Sequence, residues 1–172
     1  MNVLFYISAG VAVFCTIMVI TNLNSVHALL YLIVSLLSLA LIFFLLGAPF
    51  AAALEIIVYA GAIMVLFVFV VMMLNPESQT IQSRKQLLRS GMWFGPAVPA
   101  AILLGELIYV LTVGSVTFPA NAGVGPHALS RTLFGPYALG VELASILLMA
   151  GLVGAYHLAR PEARGTPEGD DR

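Results

Sequence analysis

The chain has 172 residues, of which 61% are hydrophobic and 9% charged, with a net charge of -1 and a mean hydropathy of +1.05. A soluble domain carries about a quarter charged residues, so a water-soluble fold is excluded, and with no basic run interleaved with aromatics nucleic acid is excluded as a partner. The one cysteine, Cys15, rules out a disulfide or a thiolate cluster within the chain.

Five apolar runs follow one another, at residues 3–20, 26–46, 50–74, 92–113 and 136–158. Each is close to the ~20 residues needed to span a bilayer core as a helix. The predicted fold is therefore an all-α integral membrane protein with five transmembrane helices. Residues 1–158 are expected to form the membrane domain and 159–172 a disordered tail, since the tail is rich in charge, Gly and Pro. No Lys or Arg precedes the first run, so it is expected to persist as a helix rather than act as a cleaved signal peptide. The breaks between runs are Thr21-Asn22-Leu23-Asn24-Ser25, Gly47-Ala48-Pro49, the loop from Asn75 to Gly91, and the Gly- and Pro-containing stretch from Gly114 to Gly135. The first two are tight, which predicts a compact up-down-up unit for the first three helices.

An odd number of spans places the termini on opposite sides. Six of the seven Lys and Arg then fall on one side, as Arg84, Lys85, Arg89, Arg160, Arg164 and Arg172, against Arg131 alone on the other. The positive-inside rule puts the N-terminus outside and the C-terminus in the cytoplasm.

Three carboxylates interrupt the spans: Glu55, Glu106 and Glu142. A charge at mid-helix costs about 2.5–3.5 kcal/mol even on the mildest insertion scale. With the orientation above, all three lie in the outer half of the membrane. His27 and His157 flank the cytoplasmic ends of their helices and His127 lies in the outer loop, so no cation of this chain is expected at that depth. Each acid must be neutral, hydrated in a polar cavity, or matched by another subunit.

The third run adds a second feature. Glu55 and Tyr59 are four residues apart and share one helical face, where a carboxyl and a phenol can hold a hydrogen bond or a shared water. Ala60-Gly61-Ala62 follows, permitting close helix approach and weakening helical preference before the β-branched and aromatic run Val65 to Val71. Residues 50–74 would extend ~37 Å as an α-helix against a core of ~30 Å. Tilt or a π-bulge near the glycine can absorb the surplus, and on composition tilt is the commoner solution. Small residues recur four apart at Gly47 and Ala51, Gly140 and Ala144, and Gly151 and Ala155, weak support for close helix packing.

The run Leu54-Glu55-Ile56-Ile57-Val58-Tyr59-Ala60-Gly61-Ala62-Ile63-Met64-Val65, within a longer match from Ala53 to Asn75, resembles the membrane subunit J family of proton-translocating NADH:quinone oxidoreductase, respiratory complex I. Its mitochondrial counterpart is NADH dehydrogenase subunit 6. Val26-His27-Ala28-Leu29-Leu30-Tyr31-Leu32, Leu133-Phe134-Gly135-Pro136-Tyr137 and Val141-Glu142-Leu143-Ala144-Ser145 carry the same resemblance. It leaves out the tail, the two longer loops and most of the fourth helix. The resemblance implies a multi-pass subunit of a hetero-oligomer in the bacterial inner membrane, in contact with other complex I membrane subunits and lipid. It implies no cofactor on this chain, with NADH, FMN, iron-sulfur clusters and quinone on other subunits. It also implies a third helix that switches between α and π geometry, which moves the expectation from tilt to a π-bulge. Glu55, Tyr59, Gly61, Val65 and Glu142 become the expected proton-path or gate residues. Glu106 departs from the family pattern, where an apolar residue is expected, and Pro99 sits in the same helix; no family role is carried over to Glu106.

The leading expectation is a non-catalytic subunit of a redox-driven proton pump. The alternatives are a purely structural subunit, whose acids anchor it to neighbours, and a stand-alone proton-coupled transporter. No nucleophile–base pair, metal-ligand set or phosphate loop is present to support an active site of its own.

Overall fold

The computed structural model describes residues 2–74, 94–112 and 125–160. These residues are helical with no β-strand among them, and five helices are long and apolar enough to cross a membrane. The expected loop from Asn75 to Gly91 and the tail beyond Arg160 lie outside the described residues. The chain divides into two compact units, Met1–Gly125 and Pro126–Arg172.

The first unit holds α1 (Asn2–Thr21), α2 (Ser25–Leu45), α3 (Pro49–Leu74) and α4 (Phe94–Thr112). The polar break between α1 and α2 works as a cap. Asn24 is the N-cap of α2, and its side-chain oxygen accepts from the backbone N–H groups of Val26 and His27, covering donors that the first helical turn leaves without partners.

The break between α2 and α3 is tighter. Gly47 adopts φ 84°, the left-handed conformation that favours glycine. The N–H of Gly47 donates to the Phe44 carbonyl and that of Ala48 to the Phe43 carbonyl, which closes α2 with a Schellman motif. Pro49 then opens α3 at a position whose N–H is not needed. Two consecutive helix-ending and helix-starting signals thus reverse the chain within three residues.

α3 is not uniform. Pro49–Leu54 is α-helical, Glu55–Ile63 is π-helical, and Met64–Leu74 returns to α. The register change is visible where the Met64 N–H donates to the Tyr59 carbonyl, five residues back rather than four.

α1 and α2 pack along their length, and α4 packs against both. The core between these three helices contains Val11, Cys15, Tyr31, Val34, Leu41 and Leu103. α4 carries two prolines. Pro96 lies in the first turn, where a missing N–H costs nothing, but Pro99 leaves the Gly95 carbonyl without its α-helical donor. Gly95 faces α2, where a Cβ added to it would collide with the Tyr31 hydroxyl.

The second unit holds α5 (Pro126–Leu133) and α6 (Ala138–Ala159). α5 falls in the stretch read from composition as a break, and it is a helix the sequence reading missed. Pro126 stands at its start and no glycine occurs before Gly135, the combination that permits one short turn-rich helix. No residue of α6 is buried within this unit.

The Gly95–Tyr31 contact makes a prediction. Gly95→Ala should lower the stability of the detergent-solubilised protein by about 1–3 kcal/mol, the usual cost of overpacking. Combining it with Tyr31→Phe, which removes the colliding oxygen, should restore most of the loss in a thermal-unfolding assay.

Candidate functional site: buried carboxylates and a π-helical segment

Glu55 is the first residue of the π segment and is 7% exposed, the only charged side chain of α3. Its carboxyl makes no side-chain hydrogen bond among the described residues. Glu55 and Tyr59 form no hydrogen bond with each other among the described residues, and Tyr59 is 51% exposed.

Gly61 lies near the end of the same segment. A Cβ built there would stand 3.1 Å from the Ile56 carbonyl oxygen, five residues back. The absence of a side chain therefore lets the π turn close around that carbonyl. Val65 follows in the α-helical part and is 62% exposed.

Beside this segment, Val34, Leu41, Ala52, Ile56, Leu103 and Leu107 line part of a cleft of about 270 Å³ between α2, α3 and α4. Its lining is apolar, and such a space does not hold water, which needs two to four polar partners. Neither Glu55 nor Glu106 lines it.

Glu106 is satisfied differently. It is 6% exposed, and the Ser8 hydroxyl of α1 donates to its Oε2 at 2.8 Å. Ser8 is itself anchored, because the Ser38 hydroxyl of α2 donates to the Ser8 backbone carbonyl at 2.5 Å. Ser8 and Ser38 are both fully buried. The other carboxyl oxygen, Oε1, is buried and has no hydrogen-bond partner among the described residues. Three helices therefore meet at one polar point inside an apolar bundle. One turn further along α1, the Ser35 hydroxyl of α2 donates to the Ala12 carbonyl at 3.2 Å and shares a 3.0 Å hydrogen bond with Thr16.

Sequence reading placed Glu106 correctly among the buried acids but missed Ser8 and Ser38. A serine in an apolar run is too common to single out, and only the pairing of residues 98 apart gives it meaning.

Glu142 lies on α6 in the second unit. Its side chain is exposed and forms no hydrogen bond among the described residues; the Ser145 hydroxyl donates to its backbone carbonyl at 2.7 Å. Among the described residues no group of three His, Cys, Asp or Glu side chains is placed to hold a metal ion.

The cluster on α4 makes its own prediction. Ser8→Ala leaves a buried carboxyl without its donor and should cost about 1–3 kcal/mol in thermal unfolding. Removing both partners with Ser8→Ala and Glu106→Leu should recover most of that cost, since loss of a matched buried pair is nearly neutral.

Comparison with known proteins follows the same lines. Residues 15–158 match the family described as NADH-ubiquinone/plastoquinone oxidoreductase chain 6. The chain is similar to NADH-quinone oxidoreductase subunit J of Pseudomonas aeruginosa, 56% identical over 169 residues, covering 95% of this chain and 99% of that protein. It is similar to the subunit J of Escherichia coli strain K12 at 52% identity over 165 residues, covering 96% of this chain and 90% of that one. Subunit J of Buchnera aphidicola from Schizaphis graminum is 42% identical over 160 residues, covering 93% of this chain and 98% of that one.

Proposed function

The chain belongs to the NADH-ubiquinone/plastoquinone oxidoreductase chain 6 family, and from that premise we propose that its third helix is a conformational gate on a proton path. It works as a membrane-arm subunit of a bacterial NADH:quinone oxidoreductase, in the inner membrane and in contact with the other membrane subunits and lipid. Hydride transfer, flavin, iron-sulfur clusters and quinone belong to other subunits, and this chain contributes no active site of its own.

The observation that carries the reading is the π segment Glu55–Ile63, with a buried carboxylate at its start and Gly61 near its end. A π turn closes hydrogen bonds to the fifth residue back and an α turn to the fourth. Converting one to the other shifts everything after the segment by one residue, a rotation of about 100° around the axis. Val65 and the residues after it would then present different faces to their neighbours, while Glu55 before the shift stays in place. A polar path that includes Glu55 is made or broken by that rotation, and a change in quinone chemistry elsewhere in the complex can bias it. Glu142 is the second acid of the path. Tyr59, inside the segment, supplies a hydroxyl whose direction depends on which register is closed.

The test is NADH:quinone turnover and proton pumping in native membranes carrying Tyr59→Phe or Gly61→Val, with assembly checked by native gel. Gly61→Val places a branched side chain against the Ile56 carbonyl and shifts the α–π balance by about 1 kcal/mol. Turnover or pumping should fall roughly fivefold in an assembled complex. Unchanged turnover and pumping would overturn the gate, and loss of assembly alone would favour a purely structural subunit. A stand-alone transporter is tested by the same chain purified and reconstituted, which should move no protons.

The orientation is tested separately. A fluorescent reporter fused after Arg172 should be active in the cytoplasm and a periplasm-dependent phosphatase at the same position inactive, as the excess of Lys and Arg on that side requires.

A further inference from the structure

The geometry points to a second proton-binding site in this chain, formed by Glu106, Ser8 and Ser38 where α1, α2 and α4 meet, with Glu106 Oε1 as the atom that carries the proton. It is separate from the gate on α3 and does not depend on that reading.

The argument starts from charge. Glu106 is 6% exposed in an apolar bundle, and its Oε2 accepts one hydrogen bond, from Ser8. The titratable side chains on the helices packed against it are Tyr6 and Cys15 on α1 and His27 and Tyr31 on α2. None of them hydrogen-bonds to the carboxyl, and none of these helices carries Lys, Arg, Asp or another Glu within its described residues. On α4 itself the other titratable group is Tyr109. An anion here would keep one oxygen, Oε1, without any donor among the described residues, and buried carboxylates persist only when their charge is compensated.

Two small positive species could compensate it: a proton or a metal cation. A hard cation takes six or more oxygen ligands. The cluster offers two carboxyl oxygens and two hydroxyls, and both hydroxyl protons are already committed, Ser8 to Oε2 and Ser38 to the Ser8 carbonyl. A proton on Oε1 needs no such ring. It forms one O–H bond and leaves Oε2 as the carbonyl oxygen that accepts from Ser8. The Ser38 bond to the Ser8 backbone holds this geometry in place, which makes Ser38 a positioning residue.

The experiment is infrared spectroscopy of the purified complex in H2O and D2O, comparing the native chain with Glu106→Gln and Ser8→Ala, each checked for assembly. A protonated carboxyl gives a C=O band that moves on deuteration. That band should vanish in Glu106→Gln and move to higher wavenumber in Ser8→Ala, where the carbonyl oxygen loses its donor. Glu55→Gln, on a different helix, should leave it unchanged, which separates this site from the gate. If Glu106→Gln does not assemble, the Ser8→Ala shift decides alone. The proposal is overturned if no deuterium-sensitive carboxyl band responds to either substitution. It is equally overturned if the Glu106 signal is that of a carboxylate whose frequency depends on added Na+, which would identify a cation.

Discussion

In hydrocarbon a backbone group that leaves its hydrogen-bonded ladder has no water to turn to, so a membrane helix can change shape only by closing a different ladder. The third helix meets that constraint by moving from α to π bonding over Glu55–Ile63 and back again at Met64. The Met64 N–H still finds a carbonyl, that of Tyr59. What changes is the number of residues per turn, and with it the direction of every side chain beyond the segment. At Gly61 a Cβ would stand 3.1 Å from the Ile56 carbonyl oxygen, so a side chain there would crowd the π turn.

The same constraint explains how the first unit treats its hydroxyls. Thr16 and Thr21 donate to carbonyls one turn back in their own helix, and Thr16 also shares a hydrogen bond with Ser35 of α2. Ser8, Ser35 and Ser38 instead reach across, Ser8 to the Glu106 carboxyl and the other two to backbone carbonyls of α1. These cross-helix bonds fix the register of α1 against α2, where apolar packing alone would allow sliding, since lipid and leucine are equally apolar. α4 joins the pair at two points, the Ser8–Glu106 bond and the approach of Gly95 to Tyr31.

How much of this is legible in the sequence depends on the range of the interaction. The five long helices follow from length and hydropathy, and their ends differ from the expected ones by one or two residues because caps such as Asn24 and Gly47 sit just inside or outside the apolar runs. The burial of Glu55 and Glu106 also follows, since a carboxylate in a span must be hidden somewhere. Composition alone favoured tilt for the third run, and no single residue in Glu55–Ile63 dictates a π turn: the register is a property of the whole segment. α5 was lost because His127, Ser130 and Arg131 read as loop, although Pro126 marks a helix start. The partner of Glu106 was lost for a different reason, since Ser8 is distant in sequence and chemically unremarkable until α1 and α4 are brought together.

The two buried carboxylates of the first unit therefore stand on unlike supports. Glu55 begins a segment whose backbone has an alternative register only one hydrogen bond away, and its own carboxyl is tied to nothing in the described chain. Glu106 is tied to α1 through Ser8, and through Ser8 to α2, so its position changes only if three helices move. A cleft without polar lining lies between their helices. One acid thus sits at a change of helical register and the other at a junction of three helices.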